Sequence, residues 1–185
     1  RLAQAAEYRD DKTGAHTRRV GESAGAVARA LGLGPEQVER IRRAAPLHDV
    51  GKIGIPDAIL LSPARLSDDE FAVMKTHTTI GGDLLAGSDF PLLQCAETIA
   101  RAHHERWDGL GYPMGLAGDD IPLEGRVVAV ADTFDALTPS RPYKRAWSVD
   151  EAMEAIRAAS GSHLDPEVVE AFGAMVGEHG SLAGA

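Results

Sequence analysis

Apolar side chains recur at three- and four-residue steps along most of the chain, a spacing that is typical of amphipathic α-helices. The first such run covers residues 20–31, and Gly32 and Gly34 predict its end. Pro35 suits the first turn of a second helix, whose apolar stripe continues to Ala45. The pattern therefore predicts a chain that is helical nearly throughout.

Capping sequences predict where further helices begin. Ser67 is followed three residues later by Glu70, and Ser148 by Glu151, and both pairs have the spacing of a capping box. An Asp-Pro pair at residues 165–166 predicts the start of the last helix.

Glycines and prolines divide the middle of the chain. Gly81 and Gly82 predict an interruption, after which Pro91 starts a helix that runs to about Glu105. Residues 108–118 are rich in glycine and are expected to form a loop.

The segment at residues 127–130 has the composition of a buried strand, but its apolar pattern continues to Leu137 and favours a helix. With no repeat, linker or low-complexity segment, we expect a single all-α domain over residues 1–185. The chain begins at Arg1 inside a helical pattern. We therefore expect a domain excised from a longer protein with an upstream regulatory domain.

The composition limits the class of protein. Hydrophobic residues make up 44% of the 185 residues, and no run of about 18 apolar residues occurs, which indicates a globular domain without a membrane contact. A net charge of −9 disfavours a nucleic-acid duplex as the partner. Cys95 is the only cysteine, which excludes a disulfide framework and a cysteine-rich zinc site. This cysteine content is typical of a reducing compartment, so we expect a cytoplasmic protein.

Histidines stand out among the candidate functional residues, because five of the seven fall on apolar stripes or directly beside them. These five are His16, His48, His77, His103 and His104. Two aspartates accompany them, since Asp49 follows His48 and Asp132 lies four residues after Val128. Taken singly, each is most simply a hydrogen-bonded core residue.

Taken together, five imidazoles and two carboxylates in one small core would be unstable without a common partner. Metal ions are such a partner, because imidazole nitrogen and carboxylate oxygen are ligands of first-row metals. Seven donors exceed the needs of one tetrahedral ion, and two ions about 3.5–4 Å apart form the usual clamp for hydrolysing phosphate esters. The residues alone therefore predict metal-dependent phosphoester hydrolysis.

These residues resemble the HD-domain metal-dependent phosphohydrolases and, within them, the HD-GYP subfamily. His16, the pair at residues 48–49 and Asp132 follow the H…HD…D order of the superfamily. The sequences HDVGKIGIP (residues 48–56) and HHERWDGLGYP (residues 103–113) match the subfamily. The resemblance implies an HD-domain helical bundle with a buried metal centre and an extended loop. It also implies hydrolysis of the bacterial second messenger cyclic di-GMP to the linear dinucleotide pGpG, with GMP as a further product.

The resemblance implies a ligand set for two divalent ions, with iron as the expected metal and manganese as a substitute. The first ion is held by His16, His48, Asp49 and Asp132, and Asp49 bridges to a second ion held by His77, His103 and His104. A hydroxide shared by the two ions would attack phosphorus. Members with three metals carry a glutamate where this chain has Lys12, so a two-metal site is expected. A third metal stays an alternative, because Asp10 and Asp11 lie close by in the sequence and could replace that glutamate.

Three cations are candidates for substrate contact. Lys52 is expected to assist Asp49 in catalysis, by contacting a phosphate or the leaving group. Arg141 and Lys144 match positions that contact substrate in relatives, since an Arg fork suits guanine or phosphate and Lys suits phosphate. The glycine-rich loop is expected to shape one wall of the site, because neither a preceding strand nor a phosphate-binding helix entry accompanies it.

Two other functions stay open. One is hydrolysis of another nucleotide by an HD phosphohydrolase. The other is a catalytically silent module that binds cyclic di-GMP or a cyclase. In relatives the loop is also considered a docking surface for diguanylate cyclase (GGDEF) domains, and a homodimer is possible.

Overall fold

Helices account for nearly all of the ordered secondary structure in the computed structural model, which describes residues 15–138 and 147–182. Nine α-helices occur in these ranges: α1 (Ala15–Ala30), α2 (Pro35–Ala44), α3 (Asp57–Leu60), α4 (Asp68–Lys75), α5 (His77–Leu85), α6 (Pro91–Ala102), α7 (Leu123–Leu137), α8 (Val149–Ala158) and α9 (Pro166–Leu182). Three 3₁₀ segments cover Ala45–Leu47, Val50–Gly54 and Gly118–Asp120. The β-type pairing in the described ranges is limited to two isolated bridges. The prediction of an all-α fold is confirmed.

The predicted helix ends agree with the structure at most positions. Ser67 Oγ accepts from Glu70 N at 3.3 Å while the Glu70 carboxylate accepts from Ser67 N at 2.8 Å, which is a complete capping box. Ser148 and Glu151 form the second one. Gly32, at φ +78°, lies just beyond α1 in the left-handed region, where glycine is unstrained.

The core lies between α1, α2, α6 and α7, which pack against one another, with α9 against α1 and α7. Val20, Ile41, Ile99, Val127 and Phe172 are completely buried in it. This packing brings the first turn of α1 beside the second half of α7. Residues far apart in the sequence therefore meet at one end of the bundle.

The predicted interruption at Gly81 and Gly82 is wrong, because both residues lie inside α5. These glycines allow close packing instead of a turn. A Cβ on Gly81 would lie 3.2 Å from Gly51 N, and one on Gly82 would lie 2.5 Å from the Arg101 side chain. A Cβ on Gly51 would overlap the His77 carbonyl oxygen. The glycines thus let the segment after Asp49 lie directly against α5.

Within the described ranges, no helix has both the length and the apolar character that a membrane span requires.

Candidate metal centre

His48 and Asp49 occupy a break between two 3₁₀ segments. In a continuous α-helix, neighbouring side chains point about 100° apart. Here α2 ends at Ala44, and Asp49 adopts φ −99° and ψ 10°, so both side chains face the same centre. His48 Nδ1 bonds to the Ala45 carbonyl at 2.9 Å, and His48 Nε2 lies 3.2 Å from Asp49 Oδ2.

His77 is the first residue of α5 and is held in the same manner. Its Nδ1 bonds to the Met74 carbonyl at 2.8 Å, which directs Nε2 toward Asp49 Oδ1 at 3.3 Å. The close approach of Gly51 to the His77 backbone sets this separation. One contact between two backbone segments therefore aligns the aspartate with the histidine.

His103 and His104 follow the last helical residue of α6. The predicted helix end near Glu105 is therefore three residues too late, since α6 ends at Ala102. Because the chain leaves the helix here, two adjacent imidazoles turn inward together, with ring centroids 4.1 Å apart. His103 Nδ1 faces the carbonyls of Ile99 and Ala100, both at 3.1 Å.

The remaining two predicted ligands come from α1 and α7. His16 Nε2 lies 3.5 Å from Asp132 Oδ1, and the same oxygen lies 3.8 Å from His48 Nε2. The structure therefore brings all seven predicted ligands to one end of the bundle.

Asp49 lies between two groups of side chains. Its Oδ2 faces His48, while its Oδ1 lies 3.3 Å from His77 Nε2 and 3.7 Å from His103 Nε2. Two sets have ligand atoms within 4.8 Å of one another, namely His16, His48 and Asp49, and Asp49, His77, His103 and His104. The single carboxylate common to both sets is the one expected to bridge.

Two buried polar atoms at this point support a cation as the natural occupant. His48 Nε2 and Asp49 Oδ1 are buried and make no hydrogen bond within the described part of the chain. Leaving such groups unsatisfied costs about 1–3 kcal/mol each. His77 Nε2 and His103 Nε2 lie 3.5 Å apart, while both Nδ1 atoms face backbone carbonyls. Those bonds place the protons on Nδ1, so two lone pairs face each other across a space that suits a metal ion.

The charges of the centre also favour a cation. Burial lowers the pKa of His77 to about 4 and lowers the pKa of His104 as well, so both imidazoles are neutral. Burial opposes ionisation of Asp49, but His48 and Lys52 outweigh it and hold the pKa of its carboxyl well below the usual range. Burial also lowers the pKa of His48, but Asp49 and Asp132 raise it to about 9, so a metal ion at this position would displace a proton from His48. Neutral imidazole and ionised carboxylate are the forms that bind metal.

The sequence did not reveal that Asp135 and Arg19 support His16. Asp135 Oδ2 lies 2.7 Å from His16 Nδ1, and Arg19 Nη2 donates to the same oxygen at 2.9 Å. Burial raises the pKa of the Asp135 carboxyl, but His16 and Arg19 lower it by more. In the sequence, the spacing Asp132-x-x-Asp135 could have indicated this role, because it puts both carboxylates on one face of α7.

The glycine-rich loop covers one side of the centre, as predicted. The Glu105 carboxylate, which is buried, accepts from Met114 N at 2.7 Å and Leu116 N at 3.0 Å. The Tyr112 ring stacks on His104 at 4.8 Å and an interplanar angle of 27°. A Cβ at Gly111 would lie 2.6 Å from Glu105 Cα, so only glycine permits this close approach.

Lys52 lies at the edge of the centre, with Nζ 2.8 Å from Asp49 Oδ2. Its side chain is 22% exposed and reaches the aspartate from the solvent side. The other predicted substrate contacts, Arg141 and Lys144, lie outside the described residues, as does Lys12.

A family model for the HD domain matches residues 2–168. The chain belongs to the HD domain family. Among its HD-domain relatives, the cyclic di-GMP phosphodiesterase response regulator RpfG of Xanthomonas campestris is 54% identical over 172 residues, which is 93% of this chain and 46% of the relative. A 3'3'-cGAMP-specific phosphodiesterase 2 of Vibrio cholerae is 46% identical over 169 residues, 91% of this chain and 32% of the relative. The chain thus spans about a third to a half of the length of these curated relatives.

The HD-domain fold also occurs in solved structures. A cyclic GMP-AMP-specific phosphodiesterase of V. cholerae superposes with a TM-score of 0.70 at 21% identity, over 95% of this chain and 47% of that chain. At this identity the similarity establishes the fold and nothing further.

Proposed function

We propose that the chain is a metal-dependent phosphodiesterase that hydrolyses cyclic di-GMP to linear pGpG, with GMP formed when the second bond is also cleaved. The observation that carries the proposal is the position of Asp49, which presents one oxygen to each of two imidazole groups. A carboxylate common to two ligand sets is what a two-metal phosphoester clamp requires. The Xanthomonas relative is named as a cyclic di-GMP phosphodiesterase, which supports the same reaction class.

The proposed ligands are those predicted from the sequence. His16, His48, Asp49 and Asp132 would hold one ion, and Asp49, His77, His103 and His104 the other. Iron is the proposed metal and manganese the substitute, since the nitrogen and oxygen donors accept both. When bound, such a pair of divalent ions supplies a nucleophile at neutral pH and neutralises charge on the phosphoryl group.

The chain's own residues have separate tasks in this proposal. Ionised Asp49 fixes the spacing between the two ligand sets. The hydrogen bonds from Nδ1 of His48 and of His77 to backbone carbonyls keep both Nε2 atoms directed inward. Lys52, within 2.8 Å of Asp49, is proposed to contact a phosphate oxygen or to donate a proton to the departing ribose oxygen. Arg141 and Lys144 are proposed to contact guanine or phosphate.

A second substrate has a specific observation in its favour. The V. cholerae relative at 46% identity is named for 3'3'-cGAMP, a different cyclic dinucleotide. Both compounds present the same pair of phosphodiester bonds and differ in one base. The test of function therefore includes both substrates.

The test is incubation of iron-loaded or manganese-loaded protein with each cyclic dinucleotide, followed by chromatographic identification of the products. We expect faster turnover of cyclic di-GMP, with pGpG as the first product. The Asp49→Ala variant is expected to lose turnover while its circular dichroism spectrum retains the helices. Full metal occupancy without turnover would support the silent-module alternative instead.

The number of metals is tested on the same preparations. With Lys12 in place of a carboxylate, we expect about two ions per chain by elemental analysis, in line with a two-metal clamp. A value near three would contradict the two-metal proposal.

Partner binding remains a separate proposal. Leu110 is 78% and Met114 61% exposed on the loop that covers the centre, which suits the docking of a diguanylate cyclase domain. A pull-down with a purified cyclase domain, compared between the native protein and a Leu110→Ser variant, tests it. Sedimentation at several protein concentrations tests the proposed homodimer.

A further inference from the structure

Phe71, Lys75 and Tyr112 form a small cluster beside the metal centre, which we call the aromatic ledge. Lys75 Nζ lies 4.9 Å from the centroid of the Phe71 ring and 5.7 Å from that of Tyr112. The two rings meet edge to face with centroids 6.3 Å apart. Two elements, α4 and the glycine-rich loop, therefore contribute to one surface.

The aromatic ledge adjoins the second ligand set directly. The Tyr112 ring stacks on His104, and its centroid lies 6.5 Å from that of His77. Phe71 contacts Tyr112 edge to face and is 44% exposed. A molecule held at the centre that extended past Tyr112 would reach Phe71.

Lys75 contacts aromatic rings instead of a carboxylate within the part of the chain that the structure describes. It forms no ion pair with the residues that the structure describes, although the chain has 28 acidic residues. The acidic residue nearest in sequence, Glu70, is already engaged by the backbone of Ser67 at the opposite end of α4. An uncompensated ammonium next to a phosphoester site attracts anions.

A structural role alone explains this arrangement less completely. A lysine in the last turn of a helix interacts favourably with the helix dipole, and a lysine above an aromatic ring gains a cation–π contact. Neither effect requires Phe71 to keep nearly half of its surface in solvent, or requires the cluster to adjoin His104.

We propose that the aromatic ledge is a substrate subsite for the half of a cyclic dinucleotide that is not being cleaved. The Lys75 ammonium contacts its second phosphate, and the exposed surface of Phe71 stacks against its base. This inference rests on the proposed function and adds the residues that distinguish a cyclic dinucleotide from a simple phosphodiester.

The test compares two substrates on manganese-loaded protein. Cyclic di-GMP spans the aromatic ledge, whereas bis(p-nitrophenyl) phosphate carries a single phosphate and no nucleobase. For Lys75→Gln and Phe71→Ala we expect KM for cyclic di-GMP to rise roughly tenfold with little change in kcat. The ratio of kcat/KM between the two substrates should fall by about the same factor. Lys75→Arg retains the charge and should recover most of the loss.

Two matched controls lie far from the centre. Arg29 is exposed at the C-terminal end of α1, roughly 20 Å along the helix from His16. Phe90 is 72% exposed and precedes α6, whose other end leads to His103. Arg29→Gln and Phe90→Ala should leave the substrate ratio unchanged.

Three results would overturn the inference. Equal losses on both substrates would indicate a purely structural role, and unchanged kinetics in both variants would exclude the subsite. If the native protein cleaves bis(p-nitrophenyl) phosphate but no cyclic dinucleotide, the proposed function is wrong, and the subsite proposal, which rests on it, is wrong as well. If the native protein cleaves cyclic di-GMP and both variants keep the native kinetics, the subsite proposal is wrong but the proposed function stands.

Discussion

Asp135 Oδ2 lies 2.7 Å from His16 Nδ1, so the other ring nitrogen of His16 faces Asp132 Oδ1 at 3.5 Å. The carboxylate thereby sets both the tautomer and the orientation of an imidazole that comes from a different helix. Arg19 holds Asp135 through two guanidinium contacts. Such an acceptor behind a ligand raises the basicity of the ligand and reduces its freedom.

The first prediction concerns this arrangement. Asp135→Asn keeps the shape but removes the charge and one acceptor, so metal affinity should fall about 10–100-fold. Competition with a chromophoric chelator measures the affinity, and ¹⁵N chemical shifts of His16 report its tautomer. Asp83→Asn, which removes an exposed partner of Arg101, is the control. Unchanged metal affinity together with an unchanged His16 tautomer in Asp135→Asn would contradict the role assigned to Asp135.

The second prediction concerns Glu105, which anchors the glycine-rich loop. Glu105→Ala leaves Met114 N and Leu116 N without their acceptor, at a cost of about 1–3 kcal/mol in the free energy of unfolding. Amide hydrogen exchange at these two positions should accelerate more than exchange in α7. Equal acceleration throughout the protein would show a general loss of stability instead of a released loop.

The third prediction concerns the close approach at Gly51. Gly51→Ala places a Cβ against the backbone of His77 and Gly81, where no side-chain rotation relieves the overlap. We expect the free energy of unfolding to fall by about 1–3 kcal/mol, which lowers Tm by several degrees. We also expect weaker metal binding. Gly34→Ala is the matched control, since a Cβ there would meet nothing within 4 Å. A native-like Tm for Gly51→Ala would disprove the packing argument.

The fourth prediction concerns pH and Cys95. Burial, with a smaller effect of Glu124, raises the pKa of the thiol from 9.0 to about 12. The folded protein therefore keeps the proton between pH 9 and 12, while the unfolded chain loses it. The contribution of Cys95 to stability is complete below pH 9 and is lost as the pH rises through this interval.

Two measurements check this behaviour. Alkylation of Cys95 by iodoacetamide at pH 8.5 should be slow in the folded protein and rapid in urea. The free energy of unfolding of the native protein should decline more steeply between pH 9 and 11 than that of Cys95→Ala. If the free energy of unfolding falls in parallel with pH in the two proteins, the raised pKa of Cys95 is refuted.

Short-range patterns in the sequence were sufficient for most of the fold. Both capping boxes and the glycine after α1 act through contacts within a few residues, so they are visible without tertiary structure. Gly81 and Gly82 were misinterpreted because a helical glycine that admits a neighbouring backbone has the same sequence signature as one that ends a helix.

The sequence identified which residues form the candidate site but not how the backbone brings them together. Chemical type and position on apolar stripes identified the seven side chains that converge. Periodicity could not show why adjacent residues such as His48 and Asp49 face one centre, because the break at Asp49 depends on its backbone angles. Asp135 and Lys75 were missed because a single acid or lysine on a helix carries no distinguishing local pattern.

His16 and Asp135, which meet beside the centre, are 119 positions apart in the chain. A cation bound between α1 and α7 would act as a removable cross-link that closes this long loop. Chelation would then loosen the first turn of α1 from α7, while the buried remainder of α1 keeps its packing in the core. Metal binding would thereby add to the free energy of unfolding of this domain.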